Sequence, residues 1–185
     1  MVMDMYEIRV DHLAQDIPDI VRSSILEFIK TYEFSYVTSI GNIDTLRVSF
    51  IQYFTARHSY EWLKEEAYRL ARNEGRKLTG VATVAFTEPN RIHTGVLGRM
   101  LLDRGITQCI TTHTYGETPM SPICQQNLED KLLDIEEIIK NTFPPRYDDL
   151  KRRDIPMIPQ HPNCRHVMAP PPSIDITKPQ HTHRT

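Results

Sequence analysis

Apolar residues in the first hundred positions recur mainly at helical spacing. Ile17, Ile20, Val21, Ile25, Phe28, Ile29 and Tyr32 follow i, i+3, i+4. This predicts a helix over about 17–33, begun by Asp16 with Pro18 in its first turn. Phe34–Ile40 is short, aromatic and β-branched, and reads as a strand or a connection ended by Gly41-Asn42. Leu46, Phe50, Ile51 and Phe54 mark a second helix from an Asp44 cap to about Arg57. Ser59 reads as the N-cap of a third, longer helix carrying Leu63, Ala67, Leu70, Ala71 and Leu78. Val81–Phe86 holds no breaker, so that helix is expected to run past Gly80 towards Pro89. Asn90 then reads as the cap of a fourth helix, with Ile92, Val96, Leu97 and Met100, stopped by Gly105.

The texture changes after Gly105. Ile106–Thr112 is β-branched and partly alternating, the best strand candidate in the chain. Tyr115–Pro122 contains Gly116, Pro119 and Pro122 and reads as a loop. Leu128, Leu132, Ile135 and Ile139 mark a last helix, closed by Phe143-Pro144-Pro145. Nine of the 13 prolines lie in residues 144–185, and no glycine lies beyond Gly116. Proline removes backbone donors and fixes φ, so this end is expected to be an extended arm. The expected fold class is mainly α with a small strand-containing C-terminal unit (α+β) and an extended proline-rich C-terminal arm. Its parts are an N-terminal helical region (1–60), a helical body (61–143) with one short strand at 105–112, and the arm (144–185).

Composition narrows the function classes. With 22 basic and 24 acidic residues the formal charge is −2, which argues against coating nucleic acid by charge alone. No apolar run reaches the ~18–20 residues of a membrane span. Met1–Val10 carries Asp4 and Glu7 and lacks the layout of a signal peptide. Three cysteines without such a signal make the reducing cytoplasm the expected compartment.

The densest group of metal donors is His161-Pro162-Asn163-Cys164-Arg165-His166, with Cys124 in the preceding loop. The sulfurs of Cys124 and Cys164 and the imidazoles of His161 and His166 would satisfy a tetrahedral structural zinc site. The spacing departs from the paired-cysteine pattern of strong zinc signals. Two other readings stay open: a proline-stiffened segment whose cysteine is a small buried apolar residue, and a Cys124–Cys164 disulfide. Cys109 reads as a buried thiol, because four strand residues put His113 about 13 Å away. His113, Glu117 and Cys124 fall short of the His-x-Glu and Pro-Cys-x-x-Cys pattern of zinc deaminases. No phosphate-cradling loop, nucleophile elbow or His-Glu-x-x-His helix is present, so the expectation is a non-enzymatic protein. Arg72-Asn73-Glu74 reads as a solvated charged face, although Glu74 shares a stripe with Leu70 and Leu78 that could bury and pair it. Lys151-Arg152-Arg153 is weak support for phosphate contact, and His181 and His183 read as tail.

Several features stand in one order: Arg72-Asn73-Glu74, a further helix, the Gly105–Thr112 strand, Ser121-Pro122-Ile123-Cys124, and Ile158-Pro159-Gln160-His161-Pro162-Asn163-Cys164-Arg165. In this the chain resembles, over about residues 66–170, the phage head morphogenesis family of Mu F-like minor head proteins. The family pattern has Arg-Thr-Glu, Cys-x-x-Cys and Cys-Arg-Cys. Here Asn73 replaces the threonine, Asn127 stands at the second cysteine, and His166 follows Cys164-Arg165. The resemblance implies a structural component of a virion head or neck, made in the host cytoplasm and present in several copies. It would associate with the portal, capsid or neck proteins and act in head assembly or DNA passage, with DNA contact secondary and no membrane. The alternative is a zinc-stabilised cytoplasmic protein-binding module.

Overall fold

The computed structural model describes residues 8–34, 42–113, 120–143 and 155–177. A 3-10 turn at Val10–His12 leads into α1 (Leu13–Asp16), followed by α2 (Asp19–Ile29), α3 (Ile43–Thr55), α4 (Tyr60–Asn73) and α5 (Val81–Leu102). Then come β1 (Gln108–His113), α6 (Pro122–Asn127), β2 (Leu133–Asp134), α7 (Ile135–Thr142) and β3 (His166–Ala169). The strands form an antiparallel sheet in the order β2-β1-β3. A mainly helical chain with a small sheet near its C-terminal end is the class that the residue pattern predicts.

Helix α5 is the axis on which α2, α4, α7 and β3 all pack. Seventeen of its 22 residues are buried. It replaces the two helices expected on either side of Pro89. The third helix does not run past Gly80: α4 closes at Gly75 (φ 62°), where Arg76 N donates to Ala71 O at 2.8 Å, and Gly80 (φ 84°) opens α5. Pro89 then stands inside α5, removing the N–H that would meet the Ala85 carbonyl and costing roughly 3 kcal/mol. Packing on every side of the helix offsets that cost, and Asn90 is a buried helix residue instead of a cap. Gly105 (φ 73°) ends the element, with Gly105 N donating to Leu102 O (2.8 Å) and Ile106 N to Leu101 O (3.0 Å). This paired closure needs a left-handed residue, which glycine supplies.

Smaller expectations also shift. Asp16 does not start a helix, because its carboxylate accepts from the backbone and guanidinium of Arg9 at 3.1–3.3 Å. Asn42, and not Asp44, caps α3 by accepting from Thr45 N at 3.1 Å. Ser59 does cap α4, accepting from Trp62 N at 3.3 Å. Leu128 and Leu132 lie outside any helix, and Leu132 is 60% exposed. The Asp134 carboxylate caps α7 by accepting from Glu137 N at 2.8 Å. Pro122, assigned to a loop, opens α6. Phe34 is not in a strand; its ring packs on Tyr32 and Phe50. Residues 35–40 and 115–119 lie outside the described residues.

The described part of the arm, 155–177, lies on the body. Met157, Ile158, Val167, Met168 and Ile176 are buried, and β3 pairs with β1 from Ile110↔Ala169 to His113↔His166. Thr142 Oγ1 donates to Ile158 O and accepts from Ile158 N, both at 3.2 Å, while Asn141 donates to Pro156 O at 2.9 Å. Arg104 reaches Ile176 O at 2.7 Å. A proline-rich segment lacks the donors for a regular ladder along its whole length, so side chains of α5 and α7 supply the partners. One hydrophobic core extends from Ile8 to Ile176.

Candidate metal centre

His161-Pro162-Asn163-Cys164 folds into a turn in which Cys164 N donates to His161 O at 3.0 Å. Proline at the second position and a left-handed asparagine (φ 62°) at the third are the residue signature of a type II turn. The turn sets His161 and Cys164 together, and α6 brings up Cys124. One donor atom from each of Cys124, His161 and Cys164 lies within 4.8 Å of the other two, so this group could hold a metal ion. The two sulfurs are 3.6 Å apart and are not joined by a disulfide. Two metal–sulfur bonds of about 2.3 Å at a tetrahedral angle would place them about 3.8 Å apart.

The electrostatics suit a cation. The hydrogen bond with Cys124, then the contact with His166, hold the Cys164 thiol well below its ordinary pKa against the opposing effect of burial. A thiolate is the form that ligates metals. His161 Nδ1 lies 2.7 Å from Pro162 O; in the neutral ring it donates there, leaving Nε2 as the acceptor a metal can use. Cys124 and Cys164 are buried, and His161 is half-buried.

The fourth residue of the expected set, His166, stands just outside that group. Its Nδ1 is 3.7 Å from Cys164 Sγ, and its Nε2 is 2.5 Å from Glu129 Oε1. Asn127, the residue three after Cys124, is buried in α6.

Helix α5 anchors this knot with residues that the apolar pattern does not assign to the site. Thr87 Oγ1 accepts from Asn163 N at 3.5 Å, and Asn90 Nδ2 donates to His166 O at 2.7 Å. Beside them Tyr32 Oη donates to Glu88, and Arg91 reaches Tyr32 Oη (3.1 Å), Glu88 (3.4 Å) and Thr142 O (2.8 Å). Apolar periodicity cannot find such residues, because it looks for a polar face turned to water. The available signal was Thr87–Thr94, a polar run with apolar residues on both flanks.

The other candidates separate from this centre. Arg72, Asn73 and Glu74 are exposed at the end of α4, the solvated charged face that was expected, and the alternative of a buried Glu74 falls because α4 has ended before its stripe reaches Leu78. Arg72 stacks its guanidinium 5.9 Å from the Tyr68 ring. Cys109 is buried, and burial, then the Asp134 charge, push its thiol up to about 12. His113 pairs with Glu129 at 3.2 Å. Lys151–Arg153, His181 and His183 lie outside the described residues. No protein-family model, no curated protein and no solved structure matches this chain.

Proposed function

We propose that this chain is a non-enzymatic minor head protein of a tailed phage, seated at the portal or neck, and that its metal is a structural zinc. The observation that carries the reading is the His161–Arg165 turn beside Cys124. The stretch most specific to the phage head morphogenesis family is also the stretch whose donors converge. Two thiolates and imidazole select a soft, tetrahedral ion, which favours zinc over the hard cations. The order of elements supports the same reading.

Mass spectrometry of purified virions and procapsids of the encoding phage tests this. The chain is expected in both, co-purifying with portal rings, and its absence from both would sink the reading. The same metal group also suits a zinc-stabilised cytoplasmic binding module, which would stay out of particles.

A further inference from the structure

In the β1–β3 ladder, His113 stands directly opposite His166, and the two ring centroids are 5.3 Å apart. Residues opposed across an antiparallel pair share one face. Glu129 enters from the turn after α6, where Asp130 takes a left-handed φ of 51° and Thr111 Oγ1 donates to Leu128 O at 3.3 Å. One oxygen, Glu129 Oε1, reaches both imidazoles, at 2.5 Å from His166 Nε2 and 3.2 Å from His113 Nε2. A carboxylate only accepts at that oxygen, so His166 donates from Nε2 and turns Nδ1 towards Cys164 Sγ, 3.7 Å away. With bonds of about 2.3 Å to sulfur and 2.05 Å to nitrogen, a tetrahedral ion separates the two donors by about 3.6 Å. The backbone of His166 is fixed independently, by the ladder and by Asn90.

We infer that Glu129 is the outer-sphere carboxylate of the metal centre: it selects and aims the His166 tautomer whose Nδ1 becomes the fourth ligand beside Cys124, His161 and Cys164. This rests on the metal reading of those three residues. The 3.7 Å between His166 Nδ1 and Cys164 Sγ already matches that separation, and metal binding would draw the ring in towards Cys124 and His161. Carboxylates that orient a ligating imidazole in this way typically contribute about 10–100-fold in metal affinity. Glu129 and His113 also line a half-open surface cavity of about 300 Å³, so a small carboxylate from solvent can reach the place that the Glu129 side chain fills.

The test uses the full chain with cobalt(II) as a visible probe. Wild type is expected to bind one cobalt ion with the intense ligand-field bands of four-coordinate geometry. Glu129→Gln and Glu129→Ala should weaken binding about 10–100-fold, and His166→Ala should dim the bands as water enters. Formate added to Glu129→Ala should restore affinity and band intensity, a response that a merely structural role would not show. Unchanged affinity and spectrum in both Glu129 variants, with only apo stability lowered, overturns the proposal. Absence of metal binding by wild type overturns the metal reading itself, and this inference with it.

Discussion

His93 sits at mid-helix in α5, fully buried, and neither ring nitrogen has a hydrogen-bond partner among the described residues. Burial pushes its pKa down to about 3, so the folded chain keeps it neutral while an unfolded chain protonates it below about 6.5. Between those values the unfolded state holds the extra proton, so stability falls as pH drops, by up to about 1.4 kcal/mol per pH unit from this residue. Urea midpoints at pH 7, 5.5 and 4.5 should therefore decline less steeply in His93→Leu than in wild type. Equal slopes would remove His93 as the cause. Single residues were unevenly legible in the sequence. Cys124, His161 and Cys164 are identifiable because metal donors are rare residue types and proline fixes the turn between two of them. Glu129 was invisible: one glutamate among many becomes special only when the ladder sets His113 opposite His166.

At the scale of elements, α5 explains most departures from expectation. A helix read from one apolar stripe assumes a wet face, and α5 has none over most of its length. Pro89 therefore looked like a boundary when it is an interior residue. Close packing on α5 also needs small residues. A Cβ added at Gly98 would stand 2.8 Å from Ile139 Cδ1, and one at Gly95 2.8 Å from Phe143 Cε2, so α7 seats against bare backbone. Gly98→Val should force α7 outward and lower the urea midpoint by the equivalent of about 1–3 kcal/mol. An unchanged midpoint would show that Ile139 swings aside at no cost. The caps were partly legible, since Ser59 and Gly105 act as read. Asp44 lost to Asn42, which stands two residues earlier and reaches Thr45 N.

For the whole molecule, the expected class holds, and the described part of the proline-rich arm lies back on the body. Proline content shows that a segment cannot build its own ladder, but not what it lies on. That depends on side chains such as Thr142 and Asn90, distant in sequence. The donors of the metal group come from α6 and the arm, none from α1–α5. Chelation should therefore loosen residues 155–177 while the far-ultraviolet helical signal largely persists. Limited proteolysis read by mass spectrometry should show cleavage within 155–177 accelerating once metal is stripped. Identical cleavage with and without chelator would exclude a metal that pins the arm.

The middle strand of the sheet is made long before one of its partners. Thr112 pairs with Val167, and a ribosome adding about 5–20 residues per second needs several seconds to travel between them. During that interval the β1 edge facing β3 has its backbone groups uncovered, which is the condition under which strands pair with neighbouring chains. A message truncated just before His166 would leave that edge open for the life of the product. Such a chain should aggregate, whereas one cut after Ile176 should remain dispersed.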